Sequence, residues 1–129
     1  MALIFDQKLK SIDSGVWAKF EDSEFLLASA NNLKFQRELA RLQAPHRRKS
    51  DRGQLDPAIM KDILCEAMSK TIVLDWKNVQ STDGQQAAYS QENAYLALKN
   101  SDEFREFVQD YSTDLQNFKA TEREALGKS

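Results

Sequence analysis

Residues 56–90 read DPAIMKDILCEAMSKTIVLDWKNVQSTDGQQAAYS, and the fold turns on how this stretch is taken. At 3.6 residues per turn Met60, Ile63, Leu64, Ala67, Thr71 and Leu74 fall on one face, which predicts a helix with a core stripe of ordinary width. A second apolar line runs beside it: Cys65, Ile72 and Trp76 stand at i, i+7 and i+11, with Met68 between the two lines. A helix apolar on two flanks is covered from two directions. Either the rest of the chain covers both, or a partner covers one. Asp56 and Pro57 open the helix with a capping carboxylate and a proline whose missing N–H costs nothing at the first position. The helix is expected to end near residues 76–79, before the turn signal Ser81-Thr82-Asp83-Gly84.

Upstream, Val16, Ala18 and Phe20 alternate with Trp17 and Lys19, Glu21-Asp22-Ser23 makes a turn, and residues 24–30 contain Phe25, Leu26 and Leu27. This pattern predicts a small β-hairpin, which must lie on the helices because two strands alone are marginal in water. Asn31 and Asn32 are helix caps, and Phe35, Leu39 and Leu42 then recur at helical spacing until Pro45. Residues 45–54, PHRRKSDRGQ, are basic and polar and predict a solvent-exposed connection. Downstream, residues 87–89 are expected to be extended, and Ser90 caps a helix with Gln91, Ala94, Tyr95 and Leu98 on one face. Ser101, Asp102 and Glu103 open the last helix, whose stripe is Phe104, Phe107, Val108, Tyr111, Leu115 and Phe118. Residues 1–14 fit a helix or a short strand equally, and residues 120–129 read as a frayed tail. The expected architecture is α+β, mainly α: a small N-terminal β-hairpin followed by four helices, in a single domain over residues 15–119.

With 129 residues the chain is long enough for one domain with a core of its own. Charged residues make up 29% and hydrophobic ones 41%, the profile of a soluble globular protein. A formal net charge of -2 argues against general nucleic-acid binding, which runs on a basic excess. No apolar run approaches membrane-spanning length or the form of a signal peptide, so a cytoplasmic location and no membrane partner are expected. The single cysteine, Cys65, excludes an internal disulfide.

Catalytic chemistry finds little support. Cys65 lies mid-helix and the only histidine, His46, sits in the basic connection, so a Cys/His dyad is not built locally. One His and one Cys do not supply a nitrogen and sulfur metal set, and the isolated glycines make no phosphate cradle. The expectation is a non-enzymatic protein with no metal and no cofactor. Two interaction features stand out. Arg37, Arg41, His46, Arg47, Arg48, Lys49 and Arg52 form a basic patch without interleaved aromatics, which fits a solvated loop or an acidic protein surface ahead of nucleic acid. Trp17, Trp76, Tyr89 and Tyr95 each combine an apolar body with a polar tip, suited to a core edge or an interface. The partner-binding candidates are Cys65, Ile72 and Trp76 on the second flank, with Trp17 and Tyr89.

The order of Gly15-Val16-Trp17, Asn31-Asn32 with Phe35, a basic linker and Asp75-Trp76 resembles the tail assembly chaperones of long-tailed bacteriophages. The likeness continues through Val79, Asp83-Gly84, Ala88-Tyr89-Ser90 and Glu92-Asn93 into the Phe-rich last helix, covering residues 14–120. Gln86-Ala87-Ala88 departs from the aliphatic or proline residues expected before Tyr89. The resemblance implies a chaperone outside the mature virion that keeps the tape measure protein soluble and is displaced by tail tube protein. The client so implied is a long helical rod with apolar stripes, on which weak multivalent contacts add up yet release singly, and the second flank of the central helix is the expected self-association or client surface. The resemblance also implies a programmed frameshift near the 3′ end of the gene; Leu126-Gly127-Lys128 can be encoded by a G run followed by an A run. The alternative function is a small phage nucleic-acid-binding or packaging factor using the basic segment 37–52.

Overall fold

The computed structural model describes residues 11–119. In order they form a one-turn helix α1 (Ser11–Ser14), strands β1 (Val16–Phe20) and β2 (Ser23–Leu27) and helix α2 (Leu33–Gln43). A 3-10 turn (Ala44–His46) and short helix α3 (Arg47–Asp51) lead to the central helix α4 (Pro57–Thr71) and strand β3 (Val73–Lys77). Helices α5 (Gln91–Asn100) and α6 (Asp102–Thr113) follow. The class is the expected α+β, mainly helical, with the hairpin near the N-terminal end after the one-turn α1, and the basic connection is partly helical while its charged side chains are exposed. Residues 1–10 and the tail with Leu126-Gly127-Lys128 lie outside the described residues.

The central helix stops short of Trp76. It ends at Thr71, and Val73–Lys77 is a third strand, antiparallel to β2 in a sheet of order β1-β2-β3. Thr71, Ile72 and Val73 make a β-branched run, which loses side-chain freedom in a helix and packs well on a pleated surface. The strand also gains a cross-strand aromatic partner, because Trp76 lies opposite Phe25 with ring centroids 6.1 Å apart and planes at 88°. The spacing that put Trp76 on the helix flank with Cys65 and Ile72 is therefore continued by a strand.

The inner face of the sheet and three helices share one core. Ala18, Phe25, Leu27, Val73 and Trp76 meet Cys65, Met68 and Ile72 near or on α4, Ala94 and Leu98 on α5, and Phe104 and Val108 on α6. α4 packs against α2 on one side and against α5 on another. Its two apolar flanks are thus covered from two directions by the chain itself. Cys65 and Ile72 are fully buried and Trp76 is 7% exposed. The expectation of an open surface at Cys65, Ile72 and Trp76 is overturned. Large side chains sealed in this way contribute about 1.5–3 kcal/mol each.

The caps follow the sequence closely. Asn32 Oδ1 accepts from Phe35 N at 2.7 Å, Asp56 Oδ1 from Ala58 N at 2.8 Å, Ser90 Oγ from Asn93 N at 3.0 Å and Ser101 Oγ from Phe104 N at 3.2 Å. Each satisfies a free N–H of a first helical turn. The last helix is shorter than its apolar stripe. It stops at Thr113, and Asp114 turns the chain by accepting from Gln116 N at 3.0 Å. Phe118 is still fully buried, and Ser11 Oγ donates to its carbonyl at 3.2 Å, so the two ends of the described chain meet.

Candidate functional site

β3 has to cross to α5, and the residues of that crossing build one wall of a groove. Trp76 Nε1 donates to the Ala87 carbonyl at 2.8 Å, and Tyr89 packs edge-on against Trp76 at 5.5 Å while its hydroxyl donates to the Val73 carbonyl at 2.6 Å. Asp83 accepts from Ser81 Oγ and from Gln85 N, and Gly84 takes a φ of 81° that favours glycine. Asn93 Nδ2 closes the segment by donating to the Ala88 carbonyl at 3.0 Å. The Trp, Asp-Gly and Tyr-Ser residues of this stretch are thus the scaffold of the crossing. Burial pushes the Tyr89 hydroxyl above its ordinary pKa, so it stays a donor.

The groove itself, about 760 Å³, lies among the β1–β2 turn, residues 76–82, α5 and the start of α6. Phe20, Phe25, Trp76 and Phe104 give it an aromatic lining, with Phe25 and Phe104 in contact at 4.6 Å and Phe20 and Phe104 at 5.9 Å. Leu96 of α5 lines it too and is 44% exposed. Its volume is in the range of sites that take a small ligand or a few partner side chains. The hairpin turn is fixed to the opposite strand's exit, because Asn78 Nδ2 donates to the Asp22 carbonyl at 2.7 Å and Ser23 Oγ to the Asn78 carbonyl at 2.6 Å. The groove is therefore shaped before any partner arrives.

Of the sequence candidates, Trp76 lines this groove and Tyr89 packs against it from outside the lining, while Cys65 and Ile72 sit in the core. Trp17 is on the other face of the sheet, 41% exposed, with Lys77 Nζ 4.3 Å above its ring. Burial raises the pKa of the Cys65 thiol, the reverse of an activated nucleophile. In the basic patch, Arg41 is engaged by Glu38 at 2.5 Å, and Lys70 reaches the same carboxylate at 3.0 Å. These bonds, that of Arg41 first, hold the Glu38 carboxyl down at about 2. Arg37, Arg47, Arg48, Lys49 and Arg52 are exposed. A second hollow, about 490 Å³ between α4 and α5, is lined by Asp62, Glu66 and Glu92 with Tyr95. There Tyr95 donates to Asp62 and Lys99 pairs with Asp62 at 3.4 Å, so that carboxylate is matched within the chain.

A sequence profile described as YdaY prophage protein matches residues 29–129. The chain belongs to this prophage family. The matched region takes in α2 to α6, including β3 and the crossing that walls the groove, and begins after the hairpin. No curated protein and no solved structure matches the chain. Among the described residues no group of three or more His, Cys, Asp or Glu could hold a metal ion, and no helix is long and apolar enough to cross a membrane.

Sequence reasoning missed the groove because Phe20, Phe25, Phe104 and Leu96 meet only in three dimensions. One signal was available. Leu96 stands off the line of Ala94 and Leu98 that α5 buries, an apolar residue on a polar face.

Proposed function

We propose that this prophage protein is a tail assembly chaperone, a non-catalytic partner that holds the tape measure protein in solution until tail tube protein replaces it. The observation that carries the reading is the groove beside the exposed Leu96, whose aromatic floor of Phe25, Trp76 and Phe104 is itself part of the buried core. A long helical rod with apolar stripes needs temporary cover for those stripes, and a shallow groove that takes a few side chains gives modest affinity per copy. Modest affinity repeated along a rod is strong in sum and reversible copy by copy. The client surface in this reading is the groove, in place of the buried flank of α4. Membership of a prophage family and the likeness of residues 14–120 to tail assembly chaperones support the same reading.

The test is co-expression with the tape measure protein encoded by the same prophage. The reading expects that client to stay soluble and to co-purify with the chain. A client that precipitates as it does alone would count against it.

A further inference from the structure

We infer that the groove is polarised: it takes an amphipathic helical segment whose apolar side chains enter beside Leu96 and Phe104 and whose Lys or Arg meets the Glu21–Asp22 turn. This rests on the groove being the client site, and it adds the charge and direction of what binds. Among the described residues lining the groove just two are charged, Glu21 and Asp22, and both are acidic and both on the hairpin turn. The other polar lining residues are neutral amides and hydroxyls such as Asn78, Gln80, Asn93 and Asn100. A segment bearing a basic group at one end of its apolar stripe is therefore favoured in one orientation, and an acidic group there is repelled.

The backbone at the turn gives a second, separate observation. Glu21 has φ 56°, a left-handed conformation, at the first central position of a two-residue hairpin turn. Glycine reaches that conformation without a side-chain penalty and is the usual occupant when the first central residue alone has positive φ. A glutamate there is strained, and strained residues gather where geometry serves binding. The Asn78 bond to the Asp22 carbonyl holds the backbone of this turn, and the two acidic side chains project from it exposed. Asn78 is itself left-handed, at φ 58°, a conformation Asn tolerates. Two adjacent acids at the rim thus stand on a turn tied to the end of the neighbouring strand.

The experiment uses two synthetic amphipathic peptides with the same leucine stripe, one carrying lysines at one end of it and the other glutamates at that position. Binding to the full chain is followed by fluorescence anisotropy at low salt. The lysine peptide is expected to bind about tenfold tighter, the scale of two rim charge pairs gained against two repulsions, and added salt should shrink the difference. The double variant Glu21→Lys/Asp22→Lys should reverse the preference. Glu21→Gly, which relieves the strain, should weaken the preference while melting no lower than the natural chain. Equal binding of the two peptides, a preference unchanged in the double variant, or no binding of either peptide would overturn the inference, whatever the tape measure protein does. A charge preference that reverses as expected, with a tape measure protein that still precipitates on co-expression, would leave the polarised groove standing and remove the chaperone reading.

Discussion

Leu27 and Val73 face each other on one rung of the inner sheet surface, and Phe25 and Trp76 face each other near the hairpin turn. The first pair is fully buried, while the second borders an open groove. The residues are equally apolar, so composition does not make the difference. Cover does. Near Leu27 the chain is fastened repeatedly: Ala28 N donates to Ile72 O at 2.9 Å, Ala30 N to Ser112 O at 2.9 Å, and Ser29 Oγ to Ser112 O at 3.3 Å. Asn32 adds a bond from Nδ2 to Thr71 O at 3.4 Å. These bonds draw β2, α4 and α6 together and leave no room for a guest. Near Phe25 the hairpin turn is fastened to Asn78, and α5 turns Leu96 outward. One end of the sheet is sealed on every side; the other floors a groove with side chains that are nearly as buried, and Leu96 is the exposed apolar residue at its edge.

If that contrast is right, substitutions at the two ends should differ in kind. Leu27→Ala opens a cavity in the sealed half and should cost about 2–5 kcal/mol in urea unfolding; a loss well under that would mean the site is loosely packed. Trp76→Phe keeps an aromatic ring but a smaller one and removes the bond to the Ala87 carbonyl, and should cost about 1–3 kcal/mol. It should also raise protease cleavage within residues 80–89 ahead of the rest of the chain, because the Trp76 bond ties that segment to the core side of the sheet. Unchanged cleavage there would place the crossing's stability elsewhere.

The smallest effect concerns the limb remote from both. Glu38→Gln removes the negative charge shared by Arg41 and Lys70 while leaving a neutral acceptor, and should cost about 0.5–1 kcal/mol at neutral pH. The Glu38 carboxyl is lowered from 4.5 to about 2 in the fold. A lowered carboxyl gives stability that is present above the unfolded value and is lost as pH falls from there through the folded value. The two proteins should therefore differ at neutral pH and converge as acid carries the natural chain below about 2, which thermal melts across that range would follow. A constant difference down to the lowest pH would assign the effect to packing.

What could be read from the sequence was local. Asn32, Asp56, Ser90 and Ser101 cap helices because their oxygens reach donors two or three residues away, and such chemistry is visible in a short window. The hairpin of Trp17 and Phe25 was legible for the same reason. Val73–Lys77 was not, because the partner that makes it a strand lies at residues 24–27, and a short apolar run after a helix fits either period. Once that strand was taken as helix, Ile72 and Trp76 looked like a free flank. The basic segment was correctly read as exposed, but the pinning of Arg41 by Glu38 depends on a side-chain choice the spacing alone leaves open. The groove needed three distant segments at once.

The most direct test of the whole account is Leu96→Glu, compared with the natural chain by thermal melting and by co-expression with the prophage tape measure protein. Leu96 is a solvent-facing position, so stability should change by no more than about 0.5 kcal/mol. The account predicts an intact fold and a client that now precipitates. A client that remains soluble and bound, with the variant still folded, would contradict it.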